Sequence, residues 1–412
     1  AIILIAGSLA GCGGSGPSEP AETGSGESIT VGIALPTSGS LAMLGSQAFN
    51  GAEIARQMIN ERGGVNGQEV EFAKADAPDT TAASTEANRL IDQHKVTAII
   101  GSLSSGNGLA ISSVTERSGV VLWETSAISD DITNAGGKYI FRTCESGSLR
   151  GYYGMQFVSE VLADKLGIPA QDLKIALINE DSSYGQSISE GAEQGAGEFN
   201  LNIVAHETYN KDITDLSATV VRIKEQQPDI IFAVSYVNDA VLLYDTLKQL
   251  DAMPKVLIGG GSGFTDLNFN EVFGAEANGV FCIDMPTNVP PTAFKNEETK
   301  EIQAEFRSRF LEANKDLKSV PLTAEVLFAG TWVLLHDVLP NAKSMSPDDI
   351  AAAARALKLD ETTMGWGVEF GPNGQNKIAV PAISQWQDGA TRTVWPDNLK
   401  VSDIMYLPLN EQ

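Results

Sequence analysis

Short apolar runs alternate with longer amphipathic segments through the first third of the chain. The apolar runs are rich in β-branched residues and bounded by polar turns, which predicts buried strands. They cover residues 29–35, 69–75, 96–101, 120–123 and 139–143. Residues 45–62 and 80–94 instead repeat apolar positions with the helical period, and a third helical pattern follows residue 106. This βαβαβαβ order predicts a doubly wound parallel sheet.

The same alternation returns further along the chain and predicts a second α/β lobe. Its predicted strands are 174–179, 202–209, 230–235, 255–259 and 279–283, and its helices are 149–166, 183–199, 215–227 and 238–250. Beyond Asp284 the pattern predicts three helices, at 297–314, 323–339 and 347–357, and then strands at 368–370, 379–387 and 391–394. The Asp388-Gly389 pair is typical of the turn of a hairpin.

Two hydroxyl-rich turns follow neighbouring predicted strands. One is Ser102-Leu-Ser-Ser-Gly106 and the other is Glu124-Thr-Ser126. In open α/β sheets, ligands bind beyond the carboxyl ends of the strands, where helix N-termini present free N–H groups. Serine and glycine also serve simply as turn and cap residues, and for any one position that alternative stays open. The two turns together favour a ligand site.

The first 27 residues differ in character from the rest. Residues 1–10 are apolar over about the length of a signal-peptide core, too short for a bilayer span, and end in Leu9-Ala-Gly-Cys12. This sequence is similar to a bacterial lipobox, which predicts lipidation of Cys12; the alternative is a chance cysteine after small residues. Residues 13–27 are rich in glycine, serine, proline and glutamate, and predict a flexible tether.

Composition narrows the function classes. The 412 residues contain 53 acidic and 28 basic side chains, a net charge of −25, which argues against nucleic-acid binding. Three cysteines and three histidines show no metal-ligand spacing, so we expect neither a metal nor another cofactor. No P-loop, G-x-S-x-G or H-E-x-x-H motif is present, and an enzyme is therefore not expected.

A series of short motifs, in order, resembles the Leu/Ile/Val-type periplasmic substrate-binding proteins of ABC importers. None is specific alone, but together they extend over roughly residues 28 to 390. The motifs are P-T-S-G-S from Pro36, N-G-A-E from Asn50, I-N-E-R-G-G-V-N-G from Ile59, I-G-S-L-S-S from Ile100, Y-I-F-R-T from Tyr139, S-Y-G from Ser183, Y-N-K-D-I-T-D from Tyr209, P-D-I from Pro228 and F-G-P-N-G from Phe370.

The resemblance implies the type I periplasmic binding fold, in which two lobes are joined by three hinge crossovers and close on a ligand. The crossovers are expected near Cys144, Asp284 and Met364. Residues 28–143 plus 285–364 would form lobe 1, and residues 144–284 plus 365–412 lobe 2. Cys144 and Cys282 both lie at expected crossovers, so a disulfide between them and two separate buried thiols are both open.

The resemblance also implies where a ligand would bind. In similar proteins a serine pair and the following turn hold a ligand carboxylate, and aromatic residues of lobe 2 form the wall. The candidate ligand contacts here are Ser104, Ser105, Trp123, Glu124, Ser126, Ile128, Tyr184, Tyr236 and Ser262.

The sequence departs from the family pattern in the groups that would meet an amino acid. Residues 260–263 are Gly-Gly-Ser-Gly where amino-acid binders usually carry an acid for the ligand ammonium, and Leu44 replaces a wall aromatic. Glu124 could supply the missing carboxylate, or could instead form a salt bridge with Arg142. The ligand is thus expected to be an amino acid or a related amide or carboxylate.

The function expected from the resemblance is delivery of that ligand to an ABC permease by a monomeric, lipid-anchored protein outside the cytoplasm. A ligand-sensing lipoprotein that acts on a receptor is the alternative. A transcriptional regulator of the same fold would need an N-terminal DNA-binding helix pair, and the lipobox and tether occupy that place.

Overall fold

A five-stranded parallel sheet forms the first lobe in this computed structural model, which describes residues 28–411. The predicted signal-peptide segment, Cys12 and the predicted tether therefore lie outside the described residues. The strands are β1 (Ile29–Leu35), β2 (Val70–Asp76), β3 (Ala98–Gly101), β4 (Val121–Glu124) and β5 (Ile140–Arg142), in the spatial order β2-β1-β3-β4-β5. The connecting helices are α1 (Ala42–Glu61), α2 (Thr80–His94), α3 (Ser105–Ser118) and α4 (Asp131–Asn134).

The second lobe is built on a seven-stranded mixed sheet. Its first strands are β6 (Lys174–Glu180), β7 (Asn202–Tyr209), β8 (Ile230–Val234), β9 (Val256–Gly259) and β10 (Phe281–Asp284). The helices with them are α5 (Gly147–Phe157), α6 (Ala163–Leu166), α7 (Ser183–Glu198), α8 (Ser217–Glu225), α9 (Val237–Gln249), α10 (Ser262–Thr265) and α11 (Leu267–Phe273). The predicted fold class, two α/β lobes on largely parallel sheets, is thus confirmed.

The remaining residues contribute helices to the first lobe and strands to the second sheet. Helices α12 (Glu297–Ala313), α13 (Leu322–Trp332) and α14 (Pro347–Ala356) pack on α1 and β4 of the first lobe. A two-stranded ladder follows, made by β11 (Lys358–Leu359) and β12 (Val368–Glu369). Strands β13 (Ala382–Gln387) and β14 (Ala390–Trp395) then complete the second sheet, in the order β14-β13-β10-β9-β8-β6-β7, with β13 antiparallel to β10.

Helix α13 is an apolar core helix. With its continuation it extends over Leu322–Asn341, a stretch long and apolar enough to cross a membrane, but 78% of its most apolar window is buried inside the protein. It lies directly against α1, where a Cβ on Gly51 would approach the Ala324 carbonyl oxygen to 2.1 Å. Only glycine allows two helix backbones to come this close.

The third crossing between the lobes lies later in the chain than the sequence suggested. Beyond Met364 the chain stays with the first lobe: Arg142 N–H donates to Gly374 O at 2.9 Å, and Asn376 N–H donates to Arg142 O at 2.9 Å. The ring of Phe370 packs edge-on against Trp123, with centroids 5.4 Å apart. Burial of this aromatic contact holds the segment in place, and the passage into the second sheet therefore follows Asn376.

The candidate disulfide between Cys144 and Cys282 is wrong. Both cysteines are free and buried, and they lie in different apolar clusters. Cys282 lies in β10 and its thiol donates to the carbonyl oxygen of Phe264 at 3.2 Å, on the face of the second sheet covered by α8, α9 and α11. Cys144 packs in the apolar cluster that contains Trp123 and Phe141. Both cysteines lie near crossovers, but their side chains pack into two different apolar clusters, and the two thiols therefore do not meet.

Candidate ligand-binding cleft

The two lobes enclose a cavity at the carboxyl ends of their strands. Its inner part measures about 60 Å³ and adjoins an outer part of about 350 Å³, and Leu44, Ser262, Leu322 and Thr323 line both. In the first lobe the strand order reverses between β1 and β3. Ligands bind at such switch points in α/β sheets, so the cavity lies where the topology favours a site.

Six of the nine predicted contacts line the inner cavity. They are Ser105, Ser126 and Ile128 from the first lobe, and Tyr184, Tyr236 and Ser262 from the second. The register explains the first set, because Gly101 pairs with Glu124 and the turns after β3 and β4 therefore start side by side. The hydroxyl oxygen of Ser126 is buried and has no hydrogen-bond partner within residues 28–411, which leaves it available to a ligand.

The other three predicted contacts, Ser104, Trp123 and Glu124, do not line the cavity. Ser104 is the N-cap of α3, and its side chain accepts from Asn107 N–H. Trp123 is fully buried and donates its indole N–H to Gly330 O at 2.7 Å, so it joins β4 to α13. Ser104 therefore acts as a cap residue, the alternative left open for the turn serines, while Trp123 is a core packing residue instead of the predicted ligand contact.

Glu124 is wholly enclosed in a ring of protein donors. Its Oε1 accepts the N–H groups of four residues at 2.8–3.0 Å, and its Oε2 accepts the Ser102 hydroxyl at 2.7 Å. The four residues are Ser102, Thr125, Ser126 and Ala127. The predicted ligand contact is therefore wrong, and so is the alternative pair with Arg142, which donates instead to Gln375, Ser129 and Ala127. The carboxylate fixes both ligand-facing turns.

Two tyrosines form the aromatic wall of the second lobe. The rings of Tyr184 and Tyr236 are tilted by 33° with centroids 4.9 Å apart. Tyr184 OH donates to Gly260 O at 3.2 Å, and Gly261 has φ +132° and lies so close that a Cβ there would be 2.0 Å from the phenol oxygen. Burial raises the pKa of both phenols, so they are neutral donors at physiological pH. Gly261 thus makes room for the Tyr184 phenol.

Sequence reasoning missed a buried ion cluster at the cavity. Arg150 on α5 contacts Glu145 Oε1 at 2.5 Å and Asp284 Oδ1 at 2.7 Å through Nη2. Arg150 and Asp284 line the inner cavity, while Glu145 lies behind Arg150 and is fully buried. Burial alone would lower the pKa of Arg150, but Asp284 and Glu145 raise it above its usual value. No motif marks these residues, because the fold brings them together from separate elements.

The apolar part of the lining comes largely from the first lobe and the second crossing. Leu44, flagged as replacing a family aromatic, is joined by residues that no motif indicated. These are Leu41, Met285, Leu322 and Val326, and Leu103 of the predicted turn after β3 also lines the cavity. Among residues 28–411 no group of three or more His, Cys, Asp or Glu side chains is placed to hold a metal ion. The arrangement suits a small molecule with an apolar part and separate polar groups.

Known proteins are similar to this chain in sequence. The model of the periplasmic binding protein family matches residues 28–390. Leu/Ile/Val-binding protein homolog 8 from Brucella abortus is 31% identical over 383 residues, which cover 92% of this chain and 93% of that protein. Homolog 7 from the same species is 31% identical over 379 residues, covering 91% and 93%.

Solved structures show the same fold at lower identity. The branched-chain amino acid transporter substrate binding protein LivJ from Streptococcus pneumoniae, in complex with isoleucine, has a TM-score of 0.74 and 23% identity, covering 90% of this chain and 100% of that one. The leucine binding protein LivK from Thermotoga maritima has a TM-score of 0.77 and 22% identity, covering 89% and 97%. A solute binding protein from R. palustris in complex with benzoate has a TM-score of 0.73 and 18% identity, covering 89% and 95%.

These matches confirm the resemblance drawn from the motifs. Members of the family are substrate-binding proteins that lie outside the cytoplasm, and the structure has their two-lobed fold. The chain belongs to the periplasmic binding protein family.

Proposed function

We propose that this protein captures a small polar ligand in its interlobe cavity and delivers it to an ABC permease as a monomeric lipoprotein without catalytic activity. The main support for the proposal is the cavity itself, which is lined by six of the predicted contact residues, three from each lobe. Lobes joined by hinges can open and close, and a ligand that touches both lobes favours the closed state. The lobe boundaries proposed are those predicted, with the third crossing moved beyond Asn376.

Polar groups of the first lobe and the apolar lining of the cavity would together orient the proposed ligand. On the first lobe, Ser105 is the first residue of α3, and N–H groups in the first turn of a helix have no intrahelical acceptor and attract anions. The Ser126 hydroxyl, which has no hydrogen-bond partner in the described part of the chain, belongs to a residue that lines the same space. A ligand carboxylate therefore fits here, while the apolar lining accepts the ligand's side chain. This supports the amino acid or carboxylate class expected from the sequence.

A thermal-shift screen tests ligand capture. The panel contains the twenty amino acids, their deaminated carboxylic acids, amides and ureas, since a ligand that binds only the folded state raises Tm. Ser126→Ala should lower the affinity for the best ligand about threefold to tenfold, because a buried hydrogen bond to a charged group is lost. Ser113→Ala is the matched control, as Ser113 is an exposed serine of α3 whose hydroxyl donates to Leu109 O. No Tm shift with any compound would refute ligand capture.

Two further experiments test anchoring and delivery. Cys12→Ala should move the protein from the membrane fraction to the soluble fraction; retention of this variant with membranes would refute the lipid anchor. Uptake of radiolabelled ligand in cells that lack the protein should recover with the parent chain. The alternative, a ligand sensor, predicts unchanged uptake and loss of a ligand-dependent response instead.

A further inference from the structure

The ligand cavity extends well beyond the inner part that the predicted contacts line. The inner part measures about 60 Å³, and the adjoining outer part measures about 350 Å³. Pockets that hold small molecules usually measure roughly 300–1,000 Å³. The inner part alone is therefore smaller than such a pocket, whereas the two parts together reach that size. A ligand that fills the site has to enter the outer part as well.

The two parts share a continuous lining, so one molecule can occupy both. Leu44 and Leu322 of the first lobe and Ser262 of the second lobe line the inner and the outer part alike. Leu44 is only 5% exposed, and it lies where the two parts meet. Burial of methylene groups against such leucines is favourable. The middle of an elongated ligand is therefore expected to be apolar.

Polar side chains line the outer part. Thr391 and Arg392 come from β14, and Thr287 comes from the second crossing. Thr391, Arg392 and Val401 also lie beyond residue 390, where the match to the family model ends. The family resemblance therefore assigns no role to this end of the cavity, and its chemistry has to be read from the residues themselves.

Arg392 gives the outer part a positive group that can meet a ligand. It is exposed and forms no ion pair with any of residues 28–411. The acidic residue of the same lining, Asp266, is the N-cap of α11, and its carboxylate accepts Asn268 N–H at 2.9 Å. By contrast, Arg150 of the inner part already contacts two carboxylates. Within the described chain, Arg392 is thus the cavity-lining cation that is available to an anion.

The net charge of −25 does not prevent an anion from binding at this position. At physiological ionic strength, salt screens exposed charges that lie more than about 8–10 Å apart. A carboxylate beside Arg392 therefore responds mainly to the adjacent guanidinium. The planar donors of a guanidinium match the two oxygens of a carboxylate, which adds geometric selectivity to the attraction.

We infer that the outer cavity is a second subsite, which holds an anionic end of an elongated ligand, and that Arg392 receives this end. The inference rests on the proposed function, because it concerns the far end of a ligand whose first carboxylate lies at Ser105 and Ser126. It predicts a ligand with two anionic groups joined by an apolar chain. Straight-chain dicarboxylates and their 2-amino derivatives have this form.

Calorimetric titration of matched compounds tests this inference. Glutarate, adipate, pimelate and suberate are each paired with the monocarboxylate of the same carbon number, and L-2-aminosuberate is paired with L-2-aminooctanoate. The members of a pair differ in whether the chain ends in a carboxylate or a methyl group. At the chain length that reaches both subsites, the carboxylate-ended compound should bind about threefold to tenfold more tightly, since the ion pair is exposed. This preference should shrink as the NaCl concentration rises.

Variants then identify the subsite. Arg392→Gln should bring the two members of the preferred pair within about twofold of each other. Ala390→Trp, at an exposed position that lines only the outer part, should fill it and weaken binding of the long compounds about tenfold, while the shortest compound that binds is unaffected. Arg117→Gln is the control for loss of one basic charge, because Arg117 is an exposed arginine in the last turn of α3.

The outcomes separate the inference from the proposed function. If a compound of the thermal-shift screen binds but a terminal carboxylate improves affinity at no chain length, the inference is overturned while ligand capture stands. A preference that survives both Arg392→Gln and Ala390→Trp overturns it as well. If neither the screen nor the titrations find a ligand, ligand capture fails and the inference fails with it. If one variant does not fold by circular dichroism, the other decides.

Discussion

The carboxylate of Glu124 accepts both the N–H and the hydroxyl of Ser102, at 2.8 and 2.7 Å. The two residues are 22 positions apart, and the contact locks the turn after β3 to the turn after β4. Because Ser105 and Ser126 belong to these turns, Glu124 acts on the cleft by supporting its shape. Glu124, the acidic residue among the candidate ligand contacts, thus has a structural role.

Glu124→Gln should therefore destabilise the protein with little effect on ligand affinity. The amide places an N–H₂ group where Oε2 accepts from Ser102, and the loss of a charge-assisted acceptor for buried donors costs about 1–3 kcal/mol. Urea unfolding measures the loss, and calorimetry measures affinity for the best compound of the screen. Glu71→Gln, an exposed position of β2, is the control. A tenfold affinity loss with unchanged stability would restore Glu124 as a ligand contact.

Asn376 should contribute more to stability than its place near the end of the chain suggests. Its Nδ2 donates to Thr143 O at 2.8 Å and Gly367 O at 2.9 Å, while its Oδ1 accepts from Glu369 N–H and Ile378 N–H. Asn376→Ala removes all four bonds and leaves the carbonyl groups of Thr143 and Gly367 without this buried donor, which we expect to cost about 2–4 kcal/mol in urea unfolding.

The control for this prediction is Asn373→Ala, in the same turn. Its side chain accepts from Gln375 N–H at 3.3 Å and is only partly buried. We expect a cost below about 1 kcal/mol. Equal effects of the two variants would show that the Asn376 bonds do not hold the third crossing.

The two buried thiols should be unreactive until the protein unfolds. Burial raises the pKa of Cys144 and of Cys282 well above the usual thiol value, and only the thiolate reacts with alkylating agents. In a Cys12→Ser background, iodoacetamide should label neither site in the native protein and both in 8 M urea, as mass spectrometry can count. Reducing agent should leave Tm unchanged. A reductant-dependent drop in Tm would argue for a disulfide after all.

Asp239 should make the protein less stable as pH rises toward neutrality. Burial raises the pKa of Asp239 to about 7, although the hydrogen bond from Tyr209 opposes this. In the unfolded chain an aspartate titrates near pH 3.9, so between about pH 4 and 7 the folded state binds more protons than the unfolded state. The free energy of unfolding therefore falls as pH rises through that window.

Asp239→Asn tests this dependence, since the amide keeps an acceptor for Tyr209 without a charge. Its stability relative to the parent should improve from pH 4 to pH 8 in urea unfolding. Asp245→Asn, an exposed position of the same helix α9, should show no such trend. Parallel pH profiles for Asp239→Asn and the parent would contradict the prediction.

The sequence predicted the fold well because the fold depends on local patterns. Strand β3 was predicted over 96–101 and spans Ala98–Gly101, and β4 was predicted over 120–123 and spans Val121–Glu124. Buried β-branched runs and helical periodicity carry that information in neighbouring residues. The third crossing was misplaced because it depends on a long-range contact, between Phe370 and Trp123, that no local pattern encodes.

The sequence predicted those cavity residues that directly follow the ends of strands. It did not predict the residues whose role depends on which side chains they contact in the folded protein. Ser105 and Ser126 line it because they follow β3 and β4. Glu124 was expected to contact the ligand, but its carboxylate accepts backbone N–H groups instead. Arg150, which no sequence pattern indicated, lines the cavity. A single sequence does not show which of several acids will meet a given donor.

The position of β13 has a consequence for how the chain can be made. The inner edge of β10 pairs with β13, whose residues 382–387 come about a hundred positions later in synthesis. Until they emerge, an apolar strand of the second sheet presents unpaired N–H and C=O groups, the kind of edge on which proteins aggregate. Chains truncated before β13 should therefore aggregate and should not act as smaller binding proteins. The second lobe is completed only when nearly the whole polypeptide has been made.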